Sequence, residues 1–305
     1  MSRRAIIIDT DPGIDDAIAI LAALASPEFD VLGITTVAGN IGIATTTRNA
    51  GRILALAGRG EVPVIAGAAG PLSRKGFDVA DIHGDDGLGG VGFPEPSTPP
   101  RSGYAAFWLA DTLKARPVDT IDILALGPLT NLAQLLADES EATRRIGRII
   151  SMGGAIHEPG NIGARSEFNM AADPEAAEAL LAAGLRLTLI PLDVTRKVRA
   201  DRAYVAALRD AGTRASCAAA DLIAAYFQTT TGGESRPLHD PCVMLAALAP
   251  KLFGCEDMAL RVDCGTSRDA GSLEPATDGR RPVAVALTVE GGGALSLLAD
   301  RLTQR

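Results

Sequence analysis

Four carboxylates fall within eight residues in the segment Asp9-Thr10-Asp11-Pro12-Gly13-Ile14-Asp15-Asp16. Charges this close repel one another and raise their own pKa values unless a cation neutralises them. The segment offers oxygen ligands only, with no Cys or His, which favours Ca²⁺ or Mg²⁺ over Zn²⁺. A plainer account stays open, in which Asp15 and Asp16 are first-turn acids favoured by a helix dipole and Asp9 or Asp11 caps that helix. It explains two of the acids and leaves the others standing directly behind an apolar run. The segment is not an EF-hand, because Pro12-Gly13 stands in the wrong place and a strand precedes it.

Further polar residues are spread along the chain. His239-Asp240-Pro241 is a second cluster, in which Asp240 reads equally well as a helix N-cap before proline. His83 lies in Asp81-Ile82-His83-Gly84-Asp85-Asp86-Gly87-Leu88-Gly89, a loop able to close over a ligand. A lone histidine is more often structural than catalytic, so neither His83 nor His239 stands out without its context. Asn40 serves equally well to satisfy a turn, and Glu167 and Asn169 as ordinary loop groups.

The elements that would position these residues alternate. Apolar, β-rich runs cover 5–8, 31–37, 62–65, 121–126, 148–152, 187–192 and 283–289, several of them apolar on both faces. Stretches rich in helix formers lie between them at 15–25, 45–57, 104–115, 131–137 and 174–183. Asp173-Pro174 makes a helix start and Gly184 its stop. This order predicts an α/β fold with a doubly wound, mostly parallel β-sheet in a single domain over 1–305, with a largely helical C-terminal elaboration from about 199 to 250. In such sheets ligands bind outside the carboxyl ends of the strands. Just beyond those ends stand Asp9–Asp16, Gly39-Asn40, Gly127-Pro128-Leu129-Thr130-Asn131, Gly153-Gly154 with a loop carrying Asn161, Glu167 and Asn169, and Asp193. Carboxylates, amides and glycines at one edge suit a hard cation and a polyhydroxylated ligand.

Composition narrows the field. The chain has 305 residues, 47% hydrophobic and 22% charged, which is the balance of a globular protein. Its formal net charge is −8, with 25 Arg and 4 Lys and no long basic run, so neither nucleic acid nor an anionic membrane is an expected partner. No uncharged apolar run approaches the roughly 18 residues a membrane span needs, and the apolar stretch after Arg3-Arg4 is too short for a signal peptide. The expected setting is cytoplasmic. Four cysteines without a C-x-x-C pair do not make a disulfide framework. There is no G-x-x-x-x-G-K-[ST] loop, no G-x-G-x-x-G after the first strand, and no G-x-S-x-G nucleophile elbow.

Asp9-Thr10-Asp11-Pro12-Gly13-Ile14-Asp15-Asp16-Ala17 resembles the D-x-D-P-G-x-D-D-A signature of the inosine–uridine nucleoside hydrolases. Further segments occur in that family's order. They are Val37-Ala38-Gly39-Asn40, His83-Gly84 with Gly87-Leu88-Gly89, Leu126-Gly127-Pro128-Leu129-Thr130-Asn131, Met152-Gly153-Gly154, Glu167-Phe168-Asn169 with Asp173-Pro174-Glu175-Ala176, and His239-Asp240-Pro241.

The resemblance implies calcium-dependent hydrolysis of the N-glycosidic bond of ribonucleosides, giving ribose and free base. By motif position it implies Ca²⁺ bound by the side chains of Asp11, Asp16 and Asp240 and by the backbone carbonyl of Leu126. It sets Asp15, Asn40, Asn161, Glu167 and Asn169 on the ribose hydroxyls, with Met152 and Phe168 also at the substrate. Asn161 is positioned only by its distance from Glu167. His83 and His239 would face the base, Asp11 would act as general base on water, and His239 would protonate the leaving base. A homo-oligomer, dimer or tetramer, is also implied. Two alternatives remain. Asp9-x-Asp11 after a strand mimics haloacid-dehalogenase-type phosphohydrolases, although no Lys followed by an acidic pair accompanies it. A calcium-dependent ribose or nucleoside binding protein without catalysis is the other.

Overall fold

The computed structural model describes residues 3–229 and 233–304. Its centre is an eight-stranded sheet. In chain order the strands are β1 (Arg4–Thr10), β2 (Phe29–Thr36), β3 (Val64–Ala66), β4 (Ile121–Ala125), β5 (Ile149–Met152), β6 (Leu187–Ile190), β7 (Phe253–Met258) and β8 (Val283–Val289). They lie in the order β3-β2-β1-β4-β5-β6-β8-β7. All neighbours are parallel except β7, which runs antiparallel to β8.

The strands form where the apolar runs predict, with shifted ends. The run at 187–192 stops at Ile190, because Pro191 cannot donate to the ladder and opens a short helix, Leu192–Thr195. The run at 62–65 forms its strand at Val64–Ala66. Strand β7 has no counterpart among the apolar runs. The helical elaboration is present, with one small antiparallel ribbon joining Arg199–Asp201 to Ser235–Pro237.

Strand β1 explains the layering. Ile6 and Ile8 pack into one core, while Ala5 and Ile7 pack into the other, so both faces are covered. The first core is closed by helix α1 (Ile14–Ala25), whose first ten residues are all buried. It packs against Arg214–Thr229, Pro241–Leu248 and Gly291–Leu302. A helix apolar on every side belongs inside a protein, which makes the burial of Asp15 and Asp16 at its start exceptional. The strand order reverses between β1 and β4, so the crevice beyond their carboxyl ends is the expected ligand site. No helix among the described residues is long and apolar enough to cross a membrane. Of the segment 226–238, residues 230–232 lie outside the described residues.

Candidate active site

Asp11 sits at the reversal point, one residue past β1. Its Oδ2 accepts the Asn40 backbone N–H at 2.7 Å, and its Oδ1 is buried with no hydrogen-bond partner. Two glycines let it fit. A Cβ on Gly39 would stand 2.1 Å from Oδ2, and one on Gly127 would stand 2.4 Å from Oδ1. No real Cβ comes so near an oxygen, so the loops after β2 and β4 approach the carboxylate only as glycine.

Asp16 is held from three sides. Its Oδ1 accepts from Thr10 at 2.5 Å, and its Oδ2 accepts from the Gly13 N–H at 3.0 Å and the Asn40 amide at 2.9 Å. The Gly13 bond is the helix-start role expected of a first-turn acid, and Asp16 combines it with a position in the acidic cluster. Carboxylate oxygens of Asp15, Asp16 and Asp240 all lie within 4.8 Å of one another, a spacing that could hold a metal ion. Asp240 occupies the N-cap position of Pro241–Leu248, yet its side chain makes no capping bond. The capping account of Asp240 therefore fails, and the carboxylate is left for the cluster.

Asp9 is the exception among the four acids. Its Oδ1 accepts from Thr35 at 2.5 Å and from the Asn131 amide at 2.8 Å, which ties it into the sheet, and its Oδ2 is buried without a partner. Asn131 in turn accepts from the Ala68 N–H at 2.8 Å, tying the start of its helix to β1 and to the loop after β3.

Above the carboxylates lies a cavity of about 90 Å³, open to solvent. Of the residues expected at the site, Asp15, Asn40, His83, Leu126, Met152, Asn161, Glu167, Phe168, Asn169, His239 and Asp240 line it, with Asp11 and Asp16 outside its wall. Most are buried, whereas Asn161 is exposed on its loop. The Leu126 carbonyl accepts the Asn169 amide at 2.6 Å; a carbonyl has a second lone pair, so this bond leaves its expected ligand role open. Glu167 caps Phe168–Ala172, with Oε2 accepting from Gly154 at 3.0 Å. Asp193 does not reach the cavity. It holds the loop carrying Asn161 by accepting the N–H groups of Ile156 and His157, both at 2.8 Å.

The two histidines are pinned at one ring nitrogen each. The Ile14 backbone N–H donates to His83 Nδ1 at 3.0 Å, and Thr195 Oγ1 lies 2.8 Å from His239 Nδ1. Sequence reading missed the apolar wall of Val79, Ile82 and Ile162. Ile82 lies in a short helix, Ala80–His83, with Val79 at its N-cap, where the sequence suggests a loop, and Ile162 lies in a loop; segments so short carry no periodicity to mark a face. Tyr226 also lines the cavity; helical spacing alone leaves it equally at home in the core. Phe77 packs edge-on against Phe168 with centroids 5.7 Å apart.

Burial dominates the electrostatics. It pushes the Asp11 carboxyl well above the ordinary range, with Asp16 adding to the effect. Burial does the same to Asp240, reinforced by Asp15, Asp16 and Asp11. Asp16 and Glu167 are raised for the same first reason, and Asp9 is pushed up to about 6. His239 is lowered by burial. Carboxylates packed this way favour a bound cation.

A doubly wound sheet with acids gathered at its reversal point, under a cavity lined by carboxylates, amides and histidines, defines an α/β enzyme for a polyhydroxylated ligand. The chain belongs to the inosine-uridine preferring nucleoside hydrolase family, whose model matches residues 6–294. It is 39% identical over 307 residues to the pyrimidine-specific ribonucleoside hydrolase RihA of Salmonella paratyphi B, covering 97% of each chain. Among solved structures it is similar to a plant nucleoside hydrolase, PpNRh1, with TM-score 0.92, 33% identity and 99% of each chain covered. The purine-preferring ribonucleoside hydrolase from Gardnerella vaginalis gives TM-score 0.91, 32% identity and 98% of each chain. The protein is a ribonucleoside hydrolase, cleaving the N-glycosidic bond of ribonucleosides.

Proposed function

We propose that cleavage depends on Ca²⁺, with Asp11 as the general base and His239 as a hydrogen-bond donor to the departing base. The observation that carries this reading is the buried, unpartnered Oδ1 of Asp11 beside a cluster of three further carboxylates. An all-oxygen donor set of Asp11, Asp16, Asp240 and the Leu126 carbonyl fits a hard cation of calcium's kind. Bound there, calcium would supply positive charge toward the ribose diol and toward water.

The protein groups do the rest. Asp11 Oδ1 takes the proton from the attacking water, while Asn40 keeps the other oxygen occupied. Asp15, Asn40, Asn161, Glu167 and Asn169 hold the ribose by its hydroxyls, with Met152 and Phe168 packing beside it. The C–N bond breaks through an oxocarbenium-like transition state, which a carboxylate-lined pocket stabilises. His83 and His239 face the base. Cytoplasmic location, a single domain over 1–305 and a dimer or tetramer complete the proposal.

The test is a panel of inosine, adenosine, guanosine, uridine and cytidine, with free base read by chromatography and calcium added or chelated. Relatives of opposite base preference are similarly alike, so the panel decides that preference. Deoxyuridine should be worse than uridine by roughly 10⁴-fold in kcat/KM, because losing the 2′-hydroxyl strands buried polar groups. Uridine 5′-monophosphate should also fail. Glu167 repels a phosphate, and Arg165 is turned toward Glu274, 3.9 Å away, and the Leu273 carbonyl. Comparable values for uridine and deoxyuridine would refute recognition through the diol.

A further inference from the structure

The hydrogen bonds behind the two cavity histidines determine which ring nitrogen carries the proton. A backbone N–H can only donate, so His83 Nδ1, 3.0 Å from the Ile14 nitrogen, is the bare nitrogen of the neutral ring. The Thr195 hydroxyl can do either, and its surroundings decide. Thr195 is fully buried, and among the described residues its Oγ1 has no hydrogen-bond partner other than His239 Nδ1, at 2.8 Å. If Nδ1 carried the proton and donated it, the hydroxyl hydrogen would be buried with nothing to accept it, a costly arrangement. If the hydroxyl donates, every buried donor there is paired.

We propose that the Ile14 amide and the Thr195 hydroxyl hold His83 and His239 as Nε2–H tautomers, so that the two rings offer the leaving base two hydrogen-bond donors and no acceptor. Both rings line the same cavity. The proposal rests on the reading that they face the departing base, and it deepens that reading. As the C–N bond breaks, its electron pair stays on the base, and negative charge spreads to the ring acceptors. These are the O2 carbonyl of a pyrimidine or the imino nitrogens of a purine. Neutral N–H groups aimed there from a water-poor wall stabilise that charge most in the transition state. Thr195 touches no substrate; it is a positioning residue acting through His239.

Nitrogen NMR of protein labelled in its three histidines, assigned with His83→Gln, His157→Gln and His239→Gln, reads the tautomers directly. Nδ1 of His83 and His239 should resonate in the unprotonated range, and a protonated Nδ1 at either ring overturns the proposal. Kinetics give the second readout. Thr195→Val keeps the shape and should lower kcat for uridine about tenfold with KM little changed, and Thr195→Ser should restore it. With p-nitrophenyl β-D-ribofuranoside, whose leaving group bears its charge unaided, the same variant should stay within about threefold of wild type. Equal losses on both substrates, or no rescue by Ser, would mean that Thr195 only supports the fold. Wild-type protein inert toward every ribonucleoside would remove the underlying reading, while the Nδ1 signals would still decide the tautomers.

Discussion

Asp11 and Asn differ by one atom, so Asp11→Asn separates acid–base chemistry from shape. Asn can still accept from the Asn40 N–H through its carbonyl, but its amide nitrogen cannot take a proton from water. We expect kcat to fall roughly 10²–10⁴-fold while KM moves little, measured by initial rates on uridine. A loss confined to KM would show that Asp11 only binds substrate. Gly39→Ala probes the same carboxylate from outside. Its methyl would stand 2.1 Å from Oδ2, so either the carboxylate or the loop must move. A displacement on the order of 1 Å at a reacting group costs about 10²-fold, so kcat should drop in a protein that retains its circular dichroism. Wild-type activity in Gly39→Ala would show that Asp11 need not be held where it is.

Loops carry the walls of this site, and the elements behind them determine how firmly. The segment bearing Phe77 is strapped to the helix Pro174–Ala182. Arg74 pairs with Glu175, its Nε donating at 2.8 Å, and the Leu72 N–H donates to Asp173 at 2.9 Å. Arg74 lowers the Glu175 carboxyl below its ordinary value. A carboxylate depressed in the folded state contributes stability above its unfolded pKa and loses it as pH falls through the folded one. The strap should therefore loosen on acidification below about pH 4.5. Hydrogen exchange over 71–78 should rise there in the wild type. Burial raises Asp173, which acts in the opposite sense, so comparison with Arg74→Ala isolates the pair. An unchanged pH response in Arg74→Ala would discard the strap.

Elements also differ in how far sequence reveals them. Strands β1, β4 and β5 are buried on both faces, so apolar residues dominate them and they announce themselves. Strand β7 reads Phe-Gly-Cys-Glu-Asp-Met, has one neighbour and mostly faces solvent, so nothing forces an apolar pattern on it. The same contrast holds in the site. Asp11 and Asp16 are legible because four acids crowd behind one apolar run, whereas Glu167 and Asp240 read as a loop group and an N-cap until the family resemblance singles them out. Val79, Ile82 and Ile162 are not legible, because apolar residues in a one-turn helix or a loop follow no pattern that marks a face. Asp9 belongs to the same run of acids, yet only the positions of Thr35 and Asn131 reveal that it faces away.

At the scale of the whole molecule, four buried carboxylates near one point oppose folding unless charge is balanced. A cation that binds the folded chain alone stabilises it by RT ln(1 + [L]/Kd), about 2.7 kcal/mol at a hundredfold excess over Kd. Calcium should therefore raise Tm and a chelator lower it, as measured by calorimetry. Asp240→Ala should abolish the calcium response. That variant also relieves repulsion, so its metal-free Tm should lie at or above the metal-free wild type. An undiminished calcium shift in Asp240→Ala would place the ion elsewhere.

Strand β7 closes one end of the sheet, and β3, three residues long, closes the other. An open sheet edge is a template on which another chain can add, and long flat apolar edges aggregate. On β7 the exposed residues include Glu256 and Asp257, side by side, so two such edges meeting would set like charges against each other. The feature that hid this strand from an apolar pattern is thus the one that keeps the sheet from growing, and subunits that associate must do so through other faces of the protein.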